Sequence, residues 1–147
     1  MKTMRHVLSA FLFAALTPLC GFAVPHHAQA GEDNGNTDER AAIAAVIDTY
    51  IEGGKKGSGE VMKAAFVDGA NIYSARFGGP IQALFDLVDG HPAEGIVYTI
   101  ANLDIIEDIA MARVEIDNWS GAKYTDMFTL IKTADGWRIA SKVSHRY

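Results

Sequence analysis

Tyr124-Thr125-Asp126-Met127-Phe128-Thr129-Leu130-Ile131-Lys132, followed by Asp135-Gly136 and then Trp137-Arg138-Ile139-Ala140-Ser141-Lys142-Val143-Ser144-His145, decides the fold of this chain. Two runs rich in β-branched and aromatic residues flank an Asp-Gly pair, the strongest short hairpin signal of the chain. Moving upstream, the same period-two texture extends over 96–106, 109–119 and 122–133, with Glu107-Asp108 and Ser120-Gly121 as separators. Four strands joined by tight turns predict an antiparallel meander.

Further upstream the period changes. Ile43, Val46, Ile47, Tyr50 and Ile51 recur at spacings of three and four, the apolar stripe of an amphipathic helix. Thr37 or Asp38 can cap it, with acid at its positive end, and Gly53-Gly54 is expected to end it. The run 53–59, Gly-Gly-Lys-Lys-Gly-Ser-Gly, lacks the Walker spacing and reads as a helix–helix linker. A short second helix fits 59–66, a strand fits 70–77, and Pro80 opens a third helix running to Leu87 or Val88. Helices first and strands after predict an α+β domain, with the helices packed on the concave side of a curved sheet.

The front of the chain reads as a leader. Lys2 and Arg5 precede an apolar stretch over 7–19, too short to span a bilayer comfortably, and Ala28-Gln29-Ala30 is a small-x-small cleavage site. The expectation is a signal peptide over 1–30 cut after Ala30, a flexible leader over 31–37, a single domain over 38–147, and a periplasmic or secreted protein with no membrane attachment after cleavage. The full chain has 13 Lys+Arg against 18 Asp+Glu; removing Lys2 and Arg5 leaves 11 against 18, a net charge of −7. An acidic domain repels phosphate backbones, which argues against nucleic acid as a partner. Cys20, the single cysteine, departs with the leader, so the mature domain has no disulfide and no thiolate chemistry. No spacing of His91 and His145 suggests a metal site, and no cofactor motif is present.

The series Tyr50-Ile51-Glu52-Gly53, Ala64-Ala65-Phe66, Ala110-Met111-Ala112-Arg113-Val114-Glu115, the run 124–132, Gly136-Trp137-Arg138-Ile139 and Lys142-Val143-Ser144-His145 resembles the putative lumazine-binding branch of the nuclear transport factor 2-like superfamily. The resemblance covers nearly all of the chain after residue 30. It implies a cone-shaped α+β fold, a cavity between helices and curved sheet, and frequent dimerisation through the outer face of the sheet. The superfamily includes isomerases, dehydratases, cyclases and plain binding modules. The name of the branch is not itself evidence that a lumazine binds.

Register counting nominates a site. With Asp135-Gly136 at the centre of the turn, Asp126 faces His145 and Phe128 faces Val143, with opposed Cβ atoms about 4.5–5.5 Å apart. A looser four-residue loop would instead set His145 opposite Tyr124. Carrying tight turns through the other separators collects Tyr98, Asn102, Arg113, Glu115, Asp117, Tyr124, Asp126 and His145 on one face, with Phe128 beyond them. A single bulge would swap the faces. On this map Asp126 and His145 are the candidate catalytic pair, and Tyr98, Asn102, Arg113, Glu115, Tyr124 and Phe128 are candidate ligand contacts. Arg113 would hold an anionic group, and Tyr98 or Tyr124 would donate to an oxyanion. The expected function is an exported small-molecule-binding or accessory domain taking a small apolar or carbonyl-containing molecule. The alternative is a cofactor-free isomerase, dehydratase or cyclase that uses Asp126 and His145. Apolar residues on both sheet faces exceed what one helical layer covers, which predicts a homodimer.

Overall fold

Helix α1, Asp33–Lys56, packs Ile43, Ile47, Tyr50 and Ile51 into the core at 2% exposure or less. The structure is a computed structural model that describes residues 33–147. The signal peptide expected over 1–30 lies outside the described residues. Burying each large apolar side chain of this stripe is worth about 1.5–3 kcal/mol, and Ile47→Ala would forfeit that and leave a void, costing about 2–5 kcal/mol.

Both ends of α1 depart from expectation. It starts at Asp33, five residues before Asp38, within the stretch read as a flexible leader. Once the downstream turns are packed, adding a residue at the N-terminus carries no nucleation cost. At the other end the helix runs through Gly53 and Gly54 to Lys56. These glycines are there for close packing rather than termination. A Cβ on Gly53 would lie 2.5 Å from the Met62 Cβ, and one on Gly54 would lie 2.5 Å from the Trp119 ring. Termination falls to Gly57 at φ +60°, after which the Ser58 amide donates to the Gly53 carbonyl at 2.9 Å. Ser58 Oγ then accepts from the Val61 amide and caps α2, Gly59–Lys63.

Strand β1, Phe66–Ser74, turns through Ser74–Phe77 into the short β2, Gly78–Pro80, and α3 follows at Gln82–Val88. The meander is β3 Val97–Ile106, β4 Ile109–Trp119, β5 Ala122–Thr133 and β6 Gly136–Arg146, close to its expected limits. The full sheet has six strands in the order β2-β1-β6-β5-β4-β3. All neighbours are antiparallel except β1 and β6, which run parallel. The expected α+β cone, helices packed on a curved meander, is therefore the observed architecture, extended by β1 and β2 into an unclosed mixed sheet. Side-chain hydrogen bonds along α1 fasten it to the sheet. Arg40 donates to the Leu103 carbonyl, Glu39 accepts from Lys132 Nζ and Trp137 Nε1, and Tyr98 donates to Asp48 at 2.5 Å.

Bulges in three strands set the register of the meander. Trp119 pairs with Ala122, as a tight Ser120-Gly121 turn requires, but by Ile116 and Tyr124 the pairing has slipped by one. Asn118 absorbs the slip at φ 61°, a left-handed conformation that Asn tolerates. Between β3 and β4 the expected register holds from Ile106 back to Asn102 and slips at Ala101. Between β5 and β6 the four-residue-loop register holds from Thr133 to Leu130 and slips at Ala140. Each slip exchanges inward and outward side chains along the rest of its strand and bends the sheet. Consequently Ala112, Val114, Ile116, Asp126, Phe128 and Leu130 face the helices. Val97, Met111, Met127, Ile131 and Val143 lie on the outside.

Candidate functional site: a cavity floored by a buried Lys142–Asp126 pair

Asp126 and Lys142 are the only charged side chains fully inside the described fold, at 1% and 3% exposure. The alternation of β5 turns Asp126 inward between Val114 and Ser144, its cross-strand partners. The bulge at Ala140 turns Lys142 onto the same face, one pair along, opposite Phe128. Lys142 Nζ donates to Asp126 Oδ1 at 2.7 Å and to Ser144 Oγ at 3.0 Å. Ser144 Oγ donates to the same Oδ1 at 2.5 Å, and the Tyr50 hydroxyl, descending from α1, donates to Oδ2 at 2.9 Å.

The carboxylate is thus held by three donors from two elements, Lys142 and Ser144 of β6 and Tyr50 of α1. Two of the three ammonium donors of Lys142 are spent on Asp126 and Ser144, which leaves one for a group in the cavity. Burial, with the negative charge and hydrogen bond of Asp126, holds the Tyr50 hydroxyl well above its ordinary ionisation range. Tyr50 also sits in an aromatic nest. Its ring meets Phe128 edge-on at 5.2 Å and Phe66 at 6.1 Å, and lies 5.4 Å from Trp119. A charged pair amid apolar walls is costly unless every group is partnered, and here no buried side-chain polar atom lacks a partner among the described residues.

Above this floor opens a cavity of about 1030 Å³. Ile72, Leu84, Val88 and Trp119 supply apolar wall, and the β1–β2 turn contributes Arg76 and Phe77. Tyr124, His145, Arg146 and Tyr147 line it at the far end of β6. The Arg146 guanidinium lies 5.9 Å from the Tyr124 ring, its cross-strand neighbour, and His145 meets Tyr147 edge-on at 4.8 Å.

Asp126 and Tyr124, two residues apart on β5, both line the cavity. Asp126 does not pair with His145, however: its partner is Ser144, while His145 faces Thr125 on the opposite side of the strand. The one-residue slip at Ala140 separates them, and His145 reaches only the rim. Phe128 lies beneath the floor against Tyr50. Tyr98 is committed to Asp48, and its hydroxyl is pushed up to about 12 by burial first and that hydrogen bond second. Asn102 borders a separate, smaller hollow of about 330 Å³ beside Arg40. Arg113 and Glu115 form an outer-face ion pair at 3.4 Å, with Glu115 also accepting from Thr125. The residues the register argument missed are Tyr50, Lys142, Ser144, Arg76 and Arg146. One signal was available for Tyr50: a polar-tipped residue in an otherwise aliphatic helical stripe. Among the described residues no three His, Cys, Asp or Glu side chains converge as metal ligands. Among the same residues no helix is long and apolar enough to cross a membrane.

Comparison with known proteins agrees with this geometry. Residues 38–145 match the family described as "Putative lumazine-binding". A nuclear transport factor 2-like protein of unknown function from Shewanella baltica is 38% identical over 76% of this chain and 95% of its own, with a TM-score of 0.71. Another from Methylobacillus flagellatus is 36% identical over 75% and 93%, with a TM-score of 0.72. A ketosteroid isomerase-like protein from Erwinia carotovora atroseptica shares the fold at 19% identity and a TM-score of 0.58, covering 74% of this chain and 96% of its own. No curated protein matches the chain. Matched over most of its length by the family and by two homologues above 35% identity, the chain belongs to the putative lumazine-binding family of the nuclear transport factor 2-like superfamily.

Proposed function

We propose that the protein is an exported small-molecule-binding domain whose ligand occupies the cavity above Lys142 and Asp126. The observation that carries this reading is the cavity itself: about 1030 Å³ of open space with apolar walls and a few convergent polar groups, the usual make-up of a ligand site. Sequestration fits Asp126 better than proton abstraction does. A carboxylate already accepting from Tyr50, Lys142 and Ser144 is a poor free base, whereas the same network holds Lys142 in one position to donate to a bound carbonyl or hydroxyl. Export rests on the leader features of residues 1–30. Self-association through the outer sheet face is part of the proposal. Val97, Met111 and Val143 are 65%, 53% and 48% exposed there, and a second copy would cover them.

A second reading, a cofactor-free isomerase, dehydratase or cyclase, draws on one observation. A buried ionisable pair in contact with a tyrosine inside a cavity is a common setting for proton transfer. In that reading Lys142 and Tyr50 act on the substrate and Asp126 positions both.

Native mass spectrometry of the protein isolated from its own host tests the binding reading. We expect a small organic adduct that is lost when Ala75, at the cavity wall, is replaced by Trp. Bare protein in every preparation would argue against it.

A further inference from the structure

The cavity has the opposite charge balance to the rest of the chain. Overall, 18 Asp+Glu outnumber 13 Lys+Arg. Around the cavity the side-chain cations are Arg76, Lys142 and Arg146, and the single lining side-chain carboxylate is Asp126. That carboxylate is already neutralised by Lys142, leaving a net-neutral floor. The unspent positive charge sits at the rim. Among the described residues neither the Arg76 nor the Arg146 guanidinium has a carboxylate within ion-pair distance. Both arginines are exposed, so a bound anion would keep part of its hydration while meeting a planar, bidentate donor. An anion driven down to the floor would instead be buried beside an ion pair with no charge to spare, which is costly.

Building on the binding function proposed above, we infer that the ligand is an amphipathic organic anion. Its carboxylate, sulfonate or phosphate is held by Arg76 and Arg146 at the rim. Its apolar body lies inward along Phe77, Leu84, Val88 and Trp119. A hydrogen-bond acceptor at its far end meets the free donor of Lys142. The acidic exterior adds selectivity, because it repels anions everywhere except at this opening.

A matched pair of fluorescent probes tests the inference. 8-Anilinonaphthalene-1-sulfonate and N-phenyl-1-naphthylamine share one aromatic body and differ by the sulfonate. At low salt the sulfonate is expected to bind at least about tenfold more tightly, the scale of two partly exposed charge contacts. In an Arg76→Gln/Arg146→Gln double variant that preference should fall to near unity, with the affinity for the neutral probe unchanged. Both positions are exposed, so the variant should fold, and its melting curve verifies this. Equal affinities in the unaltered protein, or a sulfonate preference that survives the double variant, would overturn the inference and leave the cavity-binding reading intact. Failure of both probes to bind would overturn the inference and the cavity-binding reading together.

Discussion

The two faces of strands β4, β5 and β6 are built from alternate residues of the same segments, yet they have opposite characters. Inward, Asp126, Lys142 and Ser144 form a closed polar network with Tyr50 amid Val114, Phe128 and Leu130. Outward, Arg113, Glu115 and Thr125 form a network half open to solvent, beside exposed Met111, Met127 and Val143. Both faces mix charged and apolar residues, so polarity does not separate them. What separates them is the cost of leaving a partner unpaired, which is large in the interior and small at the surface.

That difference can be broken most forcefully at Lys142. Lys142→Met strands a buried Asp126 carboxylate and should lower unfolding free energy by about 3–5 kcal/mol, whereas Arg113→Met on the outer face should cost below about 1 kcal/mol. Urea titration reads both. Adding Asp126→Asn to Lys142→Met should recover much of the loss, since no charge is then left alone; full additivity of the two changes would show that the residues do not act as a pair.

Tyr50→Phe should cost less, about 1–3 kcal/mol, because Oδ2 of Asp126 loses its donor. This change also has a pH signature. The Tyr50 ionisation is raised in the folded state, so its contribution is complete below the unfolded value near 10 and is lost as pH rises through the raised folded value. Tyr50→Phe should therefore flatten the alkaline fall in stability, and an unchanged alkaline limb would mean that Tyr50 is not buried against Asp126.

On the outer face the expected outcome is association rather than stability. Met127→Lys with Val143→Lys should leave the melting temperature nearly unmoved and convert a dimer to a monomer in sedimentation velocity. A monomer before any substitution would remove the outer face as a self-association surface. The smallest effect is expected at Glu39. Hydrogen bonds from Lys132 and then Trp137 depress its carboxyl, so its stabilisation is present above about pH 4.5 and is lost as pH falls through the lowered value. Glu39→Gln should remove that acid limb and little else.

The fold was legible because its signals are local. The 3.6-residue stripe of Ile43, Ile47, Tyr50 and Ile51, the glycine turns and the β-rich runs each name an element independently of the others. The site was less legible because register accumulates along a strand. Ser120-Gly121 is a tight turn and Trp119 does pair with Ala122, yet one residue at Asn118 was enough to send Arg113 and Glu115 outward. The slip at Ala140 likewise parted Asp126 from His145 and delivered Lys142 to Asp126 instead. Asn118 offered a weak cue, since Asn tolerates a left-handed backbone. Ala140 and Ala101 offered none. The parallel pairing of β1 with β6 was also hidden, because partners so far apart in sequence leave no periodic trace.

The most direct test of a ligand cavity on the inner face is amide chemical-shift mapping during titration with 8-anilinonaphthalene-1-sulfonate. We predict saturable shifts at Tyr50, Phe77, Trp119, Lys142 and Arg146, with Met111, Met127 and Val143 unmoved. Shifts confined to those outer-face residues, with the inner set silent, would contradict a ligand cavity above Lys142 and Asp126.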